Sequence, residues 1–130
     1  MPNYEITRSV DIEAVIRSAL AEKFTAYCRP LPAKFTVPSL LVQQTGGEES
    51  NTIDTFSVTI DARAKTEAAA SELLRNAIGF LKLKANEQTT AIRNVSVNSS
   101  GSWGSDPVRP DLSMCSALLR VTAHQEKTII

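Results

Sequence analysis

Side chains suited to chemistry are few in this chain: one histidine, His124, and two cysteines, Cys28 and Cys115. A Ser-His-Asp site would have to use His124, yet no Gly-x-Ser-x-Gly elbow accompanies it. The run Ser99-Ser100-Gly101-Ser102-Trp103-Gly104 holds the right residue types at the wrong spacing. A Cys-His site would need Cys28 or Cys115 beside His124, and of the two Cys115 falls at the start of the predicted strand that ends near the histidine. On one continuous strand, a rise of ~3.3 Å per residue would hold them roughly 30 Å apart. Neither Cys-x-x-Cys nor His-x-x-x-His spacing occurs, so no transition-metal site is expected. Asp106 and Asp111 carry hard oxygen ligands, but a calcium loop needs more closely spaced carboxylates, and both read as turn formers. Gly46-Gly47 is followed by Glu48-Glu49, opposite in sign to a phosphate cradle. No catalytic, cofactor-binding or metal-binding residue is assigned on these grounds, and no enzymatic activity is expected.

The elements that would position any site fit one domain spanning residues 1–130, since 130 residues bury a sufficient core without a metal or disulfide staple. Charge balances at 14 basic and 14 acidic residues, without the basic excess that phosphate contacts demand. Nucleic-acid recognition is therefore not expected, and no basic amphipathic segment points to a membrane surface. No apolar run approaches the ~18 residues of a membrane helix. Met1-Pro2-Asn3-Tyr4-Glu5 lacks a charged leader and an apolar core, so a cytosol-like compartment is expected. In that setting Cys28 and Cys115 read as free thiols.

Residues 1–9 show little pattern. Ile12, Ile16, Ala19, Leu20, Phe24 and Tyr27 recur every three or four residues, predicting a helix over 10–27 that Arg29-Pro30-Leu31-Pro32 ends. Residues 35–45 read as a strand, with Pro38 marking an edge, a bulge or a strand start near Ser39. A polar loop over 46–51 then joins it to Phe56, Val58, Ile60 and Ala62, whose alternation with Ser57, Thr59, Asp61 and Arg63 marks a half-buried strand. Thr66 caps a second helix with a stripe of Ala70, Leu73, Leu74, Ala77 and Leu81. Ile92, Val95 and Val97 open a third strand, residues 99–113 form a turn-rich loop, and Leu119, Val121 and Ala123 mark the fourth strand. The end, Gln125 to Ile130, is expected to fray.

The predicted class is α+β in the order α-β-β-α-β-β: a four-stranded, mainly antiparallel sheet with two helices packed on one face. Trp103, alone in a glycine-serine loop, is either a plug over the core or an anchor for a partner. The polar faces at Ser57, Thr59, Ser96 and Asn98 suit either solvent or copies of the same sheet.

Three features together resemble the tail terminator and head–tail joining proteins of long-tailed phages and prophages. The first helix is followed by Arg29-Pro30-Leu31-Pro32 and a strand ending in Gly46-Gly47. The second strand, Asp54 to Ala64, runs directly into Thr66-Glu67-Ala68-Ala69-Ala70. The loop with Asp106-Pro107 and Arg109-Pro110-Asp111 precedes the last strand. Ser113-Met114-Cys115-Ser116 departs from the arginine and aromatic that the family often carries there.

The resemblance implies a structural homo-oligomer, commonly a hexameric ring, meeting tail-tube and head-connector proteins. Such a protein is cytoplasmic during assembly and later part of the virion tail. On that reading the contact residues are Gly46, Gly47, Glu48, Glu49, Trp103, Asp106, Arg109 and Asp111, because loops carry recognition and exposed strand edges invite pairing. The alternative is a small ligand-binding or regulatory α+β domain, as a monomer or a dimer, without a recognisable catalytic site.

Overall fold

Strict alternation of polar and apolar side chains over residues 55–63 builds the strand around which everything else is arranged. The computed structural model describes residues 2–50, 52–107 and 109–130, leaving out the side chains of 100–103. The elements are β1 (Glu5–Arg8), α1 (Ile12–Leu20), β2 (Ala26–Cys28), β3 (Ser39–Glu48), β4 (Ile53–Ala64), α2 (Glu67–Glu87), β5 (Ile92–Ser105), β6 (Ser113–His124) and β7 (Glu126–Ile129). The class is α+β, with two helices and mostly antiparallel strands, as the sequence implies.

The sheet is larger than the four strands expected. It has five, in the order β2-β3-β4-β6-β5, and β1 pairs with β7 in a separate two-stranded ribbon. The additional sheet member is β2, parallel to β3 through Ala26↔Leu40, Tyr27↔Leu41 and Cys28↔Val42. It takes residues assigned by periodicity to the first helix, which instead ends at Leu20. Phe24 keeps an inward position without being helical, meeting Phe80 edge-on at 5.9 Å. Beyond it, Thr25, Tyr27 and Cys28 have branched, aromatic or compact side chains that suit a pleated surface, and pairing with β3 outweighs local helix propensity. Ser39 begins β3, in line with the strand start read beside Pro38.

Two predicted loops are shorter than expected. Gly46, Gly47 and Glu48 lie within β3, opposite Ser57, Phe56 and Thr55 of β4. Gly47 is required there, since a Cβ would stand 2.7 Å from the Thr55 carbonyl oxygen. The backbone of 99–105 continues β5, pairing with β6 through three register shifts. Bulges let a glycine- and serine-rich segment stay in a ladder because backbone groups, not side chains, carry the pairing. The segment expected to fray is instead ordered as β7.

Both helices cover the sheet face that carries Phe56, Val58, Ile60 and Ala62. Ile12, Ile16, Ala19 and Leu20 of α1 and Ala70, Leu74, Ala77 and Leu81 of α2 are buried against it, so the stripes read from the sequence form the core. Asp11 and Thr66 cap the two helices, each accepting from the backbone three residues on. Phe35, Leu41 and Leu112 are also buried but stand outside the main core.

Candidate assembly surface

The sheet face away from the helices is polar at its centre. Asp61 is 7% exposed there, its carboxylate accepting from Gln43 Nε2 at 3.0 Å and Ser116 Oγ at 2.6 Å. Next to it lies a shallow concavity of about 290 Å³, lined by Gly47, Glu48, Thr55, Ser57, Asn98 and Arg120. Two of the residues read as contacts, Gly47 and Glu48, are therefore on this face, beside the strand-two polar position Ser57. Glu49 stands exposed past the strand end, with its carboxylate 2.9 Å from Ser9 Oγ.

The second group of candidate contacts separates into different roles. Asp106 is wholly buried and paired with Arg63 Nε at 2.7 Å, so its side chain is engaged inside the chain instead of facing a partner. The Arg63 guanidinium stacks over the Phe35 ring at 5.8 Å, and its Nη1 has no hydrogen-bond partner among the described residues. Arg109 and Asp111 are exposed and bonded to each other at 3.0 Å. That contact raises the arginine's pKa and lowers the aspartate's. The backbone of Trp103 pairs with Cys115; its side chain lies outside the described residues.

The reactive groups stay apart. His124 and Cys115 sit at opposite ends of the continuous strand β6. Both cysteines are free, and burial pushes each thiol's pKa up, that of Cys28 further through Glu13 and Asp11. Among the described residues no group of three His, Cys, Asp or Glu side chains could hold a metal ion, and no helix is long and apolar enough to cross a membrane.

Sequence reasoning missed three features. The first is Glu13, whose carboxylate holds Arg29 Nη2 at 2.5 Å and the Gln44 N–H at 2.9 Å, fastening α1 both to the segment after β2 and to β3 itself. Burial alone would raise its pKa; the bonds from Arg29 and Gln44 outweigh that and lower it. The second is Asp54, 1% exposed, which accepts from Ser9 Oγ at 2.5 Å and from Ser50 N and Gln125 Nε2 at 3.0 Å. The signal for it was available: Asp54 shares the parity of Phe56, Val58 and Ile60, where an acid must be buried. The third is the β1–β7 ribbon, which joins residues too far apart in sequence for a local pattern to reveal.

Two further surfaces are free. Strand β5 stands at one end of the sheet. An open cavity of about 400 Å³ lies between the outer side of α1 and the turn before β5, with Ala14, Val15, Ser18, Ala19, Thr90 and Ala91 along its walls. Glu22 at its rim is paired with Lys84 at 2.8 Å. No protein-family model matches the chain, and no curated protein matches it.

Proposed function

We propose that this protein is a structural subunit that assembles with copies of itself into a ring, commonly of six, at the junction of phage tail and head. The ring would cap the tail tube and meet the connector of the head, and its work would be geometric. The observation that carries the assembly part is β5, a strand of 14 residues at the edge of the sheet. Strands average about 5–6 residues, and a long free edge offers a row of backbone donors and acceptors to another chain. The polar face at Gly47, Glu48 and Arg120 adds a rim of the kind that interfaces carry around their apolar centres. The place in a phage particle rests on the resemblance in element order and loop position.

Sedimentation velocity over a wide concentration range tests the reading. Hexamers, or a rise toward them with concentration, are expected. A strict monomer up to high concentration overturns it. The cavity beside α1 favours a second reading, a small ligand-binding domain. A metabolite that raises the Tm of a monomer would support that one.

A further inference from the structure

A strand at the end of a sheet leaves a row of backbone N–H and C=O groups open to any other strand. The five-stranded sheet has two such ends, β2 and β5. At the first of them β2 covers only Leu40, Leu41 and Val42 of β3, which runs on to Glu48. Every second residue of a strand turns its backbone groups to the same side. Leu40 donates its N–H to the Thr25 carbonyl at 2.9 Å, toward β2, so Val42 and Gln44 face that side as well, while β4 takes the other. β2 stops at Cys28, and no strand among the described residues lies beside Gln44 there.

Side chains stand in its place. The Glu13 carboxylate reaches over from α1 and accepts the Gln44 N–H at 2.9 Å. The same carboxylate oxygen holds Arg29 Nη2 at 2.5 Å, and that nitrogen donates to the Gln44 carbonyl at 3.2 Å. An acceptor meets the donor and a donor meets the acceptor, as a neighbouring strand would meet them. Further along, Gln44 Nε2 reaches the Gly46 carbonyl at 3.4 Å. Charge makes the substitution hard to displace. Hydrogen bonds with an ionised partner are roughly twice as strong as neutral ones, so an incoming strand would exchange two stronger bonds for two weaker ones.

We propose that Glu13 and Arg29 form a clasp that shuts the β3 edge to strand addition by a second copy of this chain. A sheet open at both ends can add copies at either, the route to open-ended aggregation. With the clasp in place, strand pairing is directed to the other end, β5, which is 14 residues long. That last step rests on the assembly reading above; the clasp itself does not.

The test is sedimentation velocity of the full chain with Glu13→Ala, run beside the unaltered protein whatever the size of that protein. Self-association should set in at about tenfold lower concentration, or reach larger species, because two backbone groups become open to a second copy. The Gln44 amide should exchange faster than in the unaltered protein when dilute, and slow again as concentration rises. Arg29→Ala, at an exposed position, frees the carbonyl alone. It should give a smaller change in the same direction, which keeps the inference testable if Glu13→Ala fails to fold. Adding Gln44→Pro to Glu13→Ala removes the freed N–H and should restore the unaltered behaviour. Asp11→Ala takes the cap from the same helix without touching Gln44, and should add no association. The inference fails if Glu13→Ala and Arg29→Ala associate no more than the unaltered protein. It fails equally if Asp11→Ala associates as strongly as Glu13→Ala, or if the proline leaves the association in place. An unaltered protein that stays monomeric while Glu13→Ala associates keeps the clasp and removes the ring. Rings that form unchanged in every variant keep the ring and remove the clasp.

Discussion

Replacing Asp54 with alanine removes one acceptor that three donors share. Its carboxylate lies at the core end of β4, 1% exposed, and receives Ser9 Oγ, the Ser50 N–H and the Gln125 amide. These donors come from the link between β1 and α1, the β3–β4 connection and the residue between β6 and β7, so one side chain joins three separate stretches of chain. Hydrogen bonds to a charged group contribute about 1.5–3 kcal/mol each. Ser50 is exposed, and Ser9 and Gln125 are half-buried, so water recovers part of that when the acceptor is lost. A net cost of about 2–4 kcal/mol follows for Asp54→Ala, a large share of the ~5–15 kcal/mol that holds a domain folded. Asp54→Asn keeps the shape and one acceptor oxygen, and should cost about 1–2 kcal/mol.

The pH dependence has a definite sign. Burial alone would push the Asp54 carboxyl up, and the bonds from Ser9, Ser50 and Gln125 outweigh it, leaving its pKa below the ordinary 3.8. The folded state then binds fewer protons than the unfolded state near pH 4. This contribution is fully present above the unfolded value and is lost as pH falls through the lower folded one. Urea denaturation at pH 7 and on the acid side of pH 4 measures it: the gap between wild type and Asp54→Asn should narrow in acid. Amide exchange should also quicken in residues 4–8 and 126–130 of both variants, because the root of the ribbon is released. A cost below about 0.5 kcal/mol for Asp54→Ala, within the range of an ordinary surface change, or unchanged exchange in the ribbon, would refute the assignment.

Asp106→Ala leaves the Arg63 guanidinium charged inside the protein, and breaking a buried pair in this way should cost about 3–5 kcal/mol by urea denaturation. Changing both, as Arg63→Leu with Asp106→Leu, should cost less than the single change, since no lone charge remains. Gln88 ends α2 in the left-handed region at φ 58°, so Gln88→Gly should raise stability by about 0.5–1 kcal/mol, read as a higher Tm.

The parts of this fold that were legible in the sequence are those whose residues bury one face. Alternation gave β4 and β6, and the stripes of α1 and α2 mark their buried sides. The parts that were not legible are held by pairing alone. Phe24 and, within strand β2, Tyr27 continue the helical spacing of α1, and pairing beside β3 makes β2 extended. Strand β5 runs through glycine and serine because its ladder to β6 needs no apolar side chain. The β1–β7 ribbon buries nothing, so periodicity had nothing to register.

The candidate contacts divide by the same logic. Asp106 and Arg109 look alike as polar loop residues, yet Leu112 folding inward carries Asp106 to Arg63 and leaves Arg109 outside with Asp111. A polar residue's role in this domain is therefore set by whether a hydrophobic neighbour draws its segment in.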